Sequence, residues 1–102
     1  MNRQEFKQKM NVIKQKMEKI KSELEDCEAY IYNQHDFRYF HSQVKEHLER
    51  ITYILDNCDA RNTSDTFHEN SYKEFNNLMM FDINKWNKLK AIKFIPPRSL
   101  GL

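Results

Sequence analysis

Three features of this 102-residue chain predict an all-α fold, an elongated antiparallel helical hairpin with a third helix of bundle or coiled-coil type. Near the start, Phe6, Met10, Ile13, Met17, Ile20, Leu24, Cys27 and Ile31 are apolar and alternate at spacings of four and three. Such a 3.5-residue repeat keeps one stripe of a helix facing a partner helix. The only glycine is at 101 and the only prolines are at 96 and 97, so no breaker interrupts residues 1–95. Tight hairpins and glycine-rich phosphate loops need residues this chain lacks. Finally, 31% of residues are charged, 39% are apolar and the mean hydropathy is -0.92. A chain this polar forms a modest core and gains from a helix partner.

The first helix is expected over about residues 3–33, roughly 45 Å long at 1.5 Å per residue. That exceeds the width of a compact domain of this size and makes the molecule elongated. A second stripe, Phe37, Phe40, Val44, His47, Ile51, Ile54 and Cys58, is displaced by one residue from the first register. The shift predicts a turn between Asn33 and Asp36 and a second helix over 36–59, with one continuous or kinked helix of nearly 60 residues as the alternative. Asp59 to Asp65, DARNTSD, reads as a loop. Thr66 followed by Glu69 matches a capping box opening a third helix over 66–94, with Tyr72, Phe75, Leu78, Met79, Ile83, Trp86, Leu89 and Ile92 as its stripe. Asp82 is placed to cap a separate fourth helix. Pro96 and Pro97 end the single 1–95 domain and leave a tail, 96–102.

Charge is segregated although the total is only +2. Residues 1–21 carry +5, residues 22–36 carry −5, and Lys85 to Leu102 carry +5. An unbroken third helix would lay its basic end beside the acids at 23–28. A break at Asp82 would gather both basic segments at one pole. With Phe6 at heptad position d, the e positions are Lys7, Lys14, Lys21 and Glu28, and g holds Lys9, Lys16 and Glu23. These flanks oppose parallel self-pairing and favour an antiparallel neighbour, either this chain's own second helix or a second copy in an antiparallel homodimer.

The chemistry-bearing residues do not gather into a recognisable site. His35, His41 and His47 are six apart and spiral around a helix, so no metal is expected. No nucleophile and base are suitably placed, so no enzyme activity or cofactor is expected. Cys27 and Cys58 fall on helical stripes and read as small buried hydrophobes. No run approaches the roughly 18 apolar residues of a spanning helix, so no membrane is expected and the localisation reads as cytoplasmic. The lysines around Trp86 leave nucleic-acid binding as a competing class.

Tyr32 and Asp36 form a Tyr-x-x-x-Asp motif, which resembles the export signal of type VII secretion substrates, small helical hairpins of about this length. The resemblance covers five residues, lacks the family's Trp-x-Gly turn, and implies a helical-hairpin secretion partner as one reading. Around that motif the aromatic and basic residues are dense, and consecutive aromatics cannot all face one core. Tyr32, Phe37, Arg38, Tyr39, Trp86, Lys85 and Lys88 are therefore the candidate partner-binding residues. The eight-residue stripe from Phe6 to Ile31 is the candidate dimer or helix seam. The expected function is stoichiometric binding of another protein, as an inhibitor or adaptor. Abundant Lys, Asn, Ile and Tyr suggest a phage or mobile-element protein acting on a host enzyme or defence complex.

Overall fold

The computed structural model describes residues 1–27 and 35–92. Among these the chain forms three helices and no strand: α1 (Arg3–Asp26), α2 (His35–Asn57) and α3 (Asp65–Ile92). The helices are long for the chain, and the molecule is a rod of 56 × 19 × 18 Å. α2 runs antiparallel to α1, which removes the continuous-helix alternative, and α3 returns parallel to α1. Among the described residues no helix is long and apolar enough to cross a membrane.

Asn2 starts α1, its side chain accepting a hydrogen bond from the Glu5 N–H at 2.8 Å. The helix stops at Asp26, short of the expected 33, with the Cys27 N–H turning back to the Leu24 carbonyl at 3.1 Å. Glu23, Glu25 and Asp26 crowd its last turn without a basic residue, an arrangement the helix dipole opposes. Ile31 and Tyr32 lie outside the described residues.

The stripe on α1 is consumed within the chain. Phe6, Met10, Ile13, Met17, Ile20 and Leu24 are all 5% exposed or less, and Cys27 is half-buried. α1 is the central helix, packed against α2 on one flank and α3 on the other, while α2 and α3 approach each other less closely. The heptad flanks sort accordingly. On the e side, Lys7 bonds to Asp59 beyond the end of α2 at 2.7 Å. On the g side, Lys9 lies 5.2 Å above the Tyr72 ring, and Glu23 accepts the Trp86 indole N–H at 2.6 Å. Lys90 stands 3.9 Å from the same carboxylate, so the basic end of α3 does lie beside the acids of α1. A homodimer through this seam would require the bundle to open, because the seam is already filled.

Two apolar clusters follow one another along the rod. One joins Phe6, Met10, Ile13 and Met17 to Ile51, Cys58, Phe75 and Met79; the other joins Ile20 and Leu24 to Phe37, Phe40, Val44, Trp86 and Leu89. Cys27 and Cys58 border different clusters and are free thiols. Phe37 and Trp86, expected at a partner surface, are core residues at 0% and 3% exposure. Their rings meet edge to face at 6.0 Å, and the Phe40 ring also stacks on Trp86.

The loop between α2 and α3 is pinned to the start of α1. Asn62 takes a left-handed φ of 46°, and its side-chain oxygen accepts from Arg3 at 2.8 Å. The cap of α3 is Ser64 and not Thr66: the Ser64 hydroxyl accepts from the Phe67 N–H at 3.1 Å, and its carbonyl accepts from the His68 N–H. Glu69 is thereby freed from a capping box and pairs with the Met1 amino group at 3.0 Å. Asp82 caps nothing, because α3 passes through it unbroken. Lys90, in the described part of the second basic segment, accordingly lines a groove with Lys16, Lys19 and Glu23 of α1, far along the rod from Arg3 and Lys7.

Candidate protein-binding surface

Two buried polar sites interrupt the core. His68, 1% exposed, stacks on Phe6 at 4.6 Å; its Nδ1–H donates to the Met1 carbonyl at 3.1 Å and its Nε2 lies 2.6 Å from the Thr63 hydroxyl oxygen. This arrangement fastens the start of α1 to the start of α3. Farther along, Asp82 is wholly buried and its Oδ2 lies 2.8 Å from His47 Nδ1. Burial pushes the Asp82 carboxyl above its ordinary value of 3.8, against the opposing pull of His47, and its Oδ1 has no hydrogen-bond partner. The pair was legible in principle: Phe75, Met79, Asp82, Trp86 and Leu89 alternate at four and three, which places Asp82 in the seam, and His47 occupies the seam of α2. Among the described residues no three His, Cys, Asp or Glu side chains gather as a metal site requires.

The uncommitted chemistry is on the outside. Lys73, Asn77, Met80, Phe81, Asn84 and Lys88 follow one another at offsets of 4, 7, 8, 11 and 15, which puts them on one face of α3, and all are exposed. Met80 and Phe81 are 47% and 53% exposed. This outward row has apolar side chains at its centre, amides beside them and a lysine at each end. The sequence reading singled out Lys88 and missed Met80 and Phe81, whose apolar character merged with the inward stripe beside Met79. Of the other candidates, Tyr39 is 60% exposed and Arg38 is exposed on α2, while Lys85 is half-buried on α3. The expected cluster is therefore divided: Phe37 and Trp86 are inside, Arg38 and Tyr39 are on one helix, and Lys85 and Lys88 are on another.

Between α1 and α2, on the flank of α1 away from α3, runs an open trough of about 940 Å³. α1 lines it with Lys14, Glu18, Lys21, Ser22, Glu25 and Asp26, and α2 with Lys45, Leu48, Glu49, Thr52, Tyr53 and Asp56. Lys21 bonds to Glu25 at 3.0 Å and holds its carboxyl below the usual range, with His41 and Lys45 adding to the effect. Lys14 pairs with Glu18 at 3.9 Å. Asp26, Glu49 and Asp56 form no ion pair with a described residue. Five carboxylates against three lysines make this trough acidic on a chain of net charge +2. The smaller groove between α1 and α3 is of opposite sign, with Lys16, Lys19 and Lys90 against Glu23. Comparison of the chain with family models, curated proteins and solved structures finds no match.

Proposed function

We propose that this protein acts by binding another protein stoichiometrically, as an inhibitor or adaptor, and that the outward row of α3 is the contacting face. The exposure of Met80 and Phe81 at the centre of a lysine-ended helical row carries this reading. The chain spends its other large apolar stripes on its own core, yet leaves these two side chains in water, where adjacent apolar groups on a polar surface mark contact sites. Glu23 within the groove that Lys16, Lys19 and Lys90 line, and the acidic α1–α2 trough, favour a protein partner over the continuous basic track that a nucleic-acid backbone would require. The composition names the first targets to try, a host enzyme or defence complex met by a phage or mobile-element protein.

The test is capture from a host lysate by the wild-type chain and by a Met80→Glu, Phe81→Glu variant. Both sites are exposed, so the variant keeps its circular dichroism and melting temperature. The expected result is a protein retained by the wild type and lost by the variant. Retention of the same protein by both would overturn the choice of face, and no retained protein would overturn the function.

A further inference from the structure

We propose that the α3 row of one copy docks in the α1–α2 trough of another, so that the protein assembles head to tail. This rests on the reading of the row as a binding face and names a second copy as an occupant.

The two surfaces match in order as well as in sign. The row reads lysine, apolar pair, lysine, from Lys73 through Met80 and Phe81 to Lys88. The trough reads acid, apolar, acid: Asp56 stands at one end, Leu48, Thr52 and Tyr53 form its middle beside Glu49, and Glu25 with Asp26 closes the other end beside Lys45. At 1.5 Å per residue, Lys73 and Lys88 are about 22 Å apart and the trough, Lys14 to Asp26, is about 18 Å long. The flexible lysine stems cover the difference. Lys14 and Lys21 are already paired along α1, so the trough groups in no ion pair among the described residues are three acids, Asp26, Glu49 and Asp56, and one base, Lys45. Tyr53 is 54% exposed beside this middle, with the Arg61 guanidinium 5.5 Å from its ring centroid and donating to its hydroxyl at 2.6 Å.

Geometry makes the contact intermolecular. α3 packs on the g flank of α1 through Lys9 and Glu23, whereas the trough opens on the e flank beside Lys14 and Lys21. A chain cannot place its own row in its own trough. Two-fold pairing of one row with another is disfavoured, since antiparallel rows centred on Met80 and Phe81 would set each Lys73 near the other copy's Lys88. The surviving arrangement joins unlike faces, and such contacts propagate as rings or filaments.

Sedimentation velocity over a concentration series tests this with two charge reversals, Glu49→Lys with Asp56→Lys in the trough and Lys73→Glu with Lys88→Glu in the row. All four positions are exposed, and circular dichroism checks that each variant is folded. Wild type is expected to grow in sedimentation coefficient with concentration, and each double reversal to weaken that association at least tenfold. Mixing the two variants should restore association, because the intact row of one meets the intact trough of the other. Rising salt should dissociate the wild-type assembly. A wild type that stays monomeric to millimolar concentration would overturn the proposal, as would association indifferent to both reversals. A monomer that still captures a lysate protein through Met80 and Phe81 would remove this inference and leave the proposed function standing.

Discussion

Replacing His47 with Leu should be among the most damaging changes to this fold, and replacing Asp82 at the same time should undo the damage. Asp82 is wholly buried and its single side-chain hydrogen-bond partner among the described residues is His47, whose side chain is 12% exposed. Deleting the histidine leaves a carboxyl in the core with neither oxygen satisfied, a change worth about 3–5 kcal/mol when one partner of a buried pair is removed. Deleting Asp82 instead leaves one ring nitrogen near the surface without its partner, at about 1–3 kcal/mol. The double change to Leu fills the same space with apolar atoms and should fall near wild type or above it.

For a chain of about this size each kcal/mol moves the melting temperature by roughly 4–8 °C, so His47→Leu should melt at least about 12 °C lower than wild type. Urea unfolding followed by circular dichroism supplies the free energies. Acidity provides a second readout. Burial raises the folded carboxyl above its ordinary 3.8, so the folded state binds this proton more tightly than the unfolded state does. The resulting penalty is absent below 3.8 and grows as pH rises through the window up to the raised value. Without His47 that window extends higher, so the deficit of His47→Leu against wild type should shrink as pH falls toward 3.8. Additive single changes, or a His47→Leu deficit below about 1 kcal/mol at neutral pH, would refute the buried-pair account.

Three further outcomes follow from the same structure. Ser64→Ala should cost about 1 kcal/mol by removing the cap of α3 and Thr66→Ala under about 0.5 kcal/mol; the opposite order in urea melts would return the cap to Thr66. Trp86→Phe removes the indole N–H from Glu23 together with part of a buried ring, and should cost about 1–3 kcal/mol in the same assay, with no loss if that contact is absent in solution. The Lys7 hydrogen bond holds the Asp59 carboxyl below its ordinary 3.8, an effect present above that value and lost as pH falls through the lowered one. In Lys7→Ala, carboxyl-carbon NMR should find Asp59 titrating closer to 3.8, and an unmoved titration would deny the pairing.

Much of the architecture was legible because helix periodicity belongs to the chain before it folds. The stripe from Phe6 to Leu24 and the stripe from Phe37 to Cys58 appear where the spacing put them, and the polar loop ends one residue early, at Ser64, since each depends on neighbours within a few turns. Helix ends were less legible. The cap of α3 depends on the hydroxyl at Ser64 meeting the Phe67 N–H, and Ser64, Asp65 and Thr66 are all plausible caps by residue type. The choice between an unbroken third helix and a break at Asp82 stayed open, because a lone acid after apolar residues looks like a cap, while its seam phase is meaningful only when His47 stands opposite.

The candidate surface was harder still. Tyr39 and Lys88 are outside as polar residues generally are, but Phe37 and Trp86 are inside because α1 supplies Leu24 and Glu23 to receive them. No spacing within α2 or α3 reveals which flank of α1 each will occupy. By itself the sequence determined three long helices and an apolar seam on the first. Only the tertiary structure decided that the chain's own helices fill that seam, that Asp82 and His47 meet in the core, and that an acidic trough and a lysine-ended row face outward on different sides. Apolar period is a local property, whereas burial of a given aromatic or carboxylate depends on which distant helix packs over it.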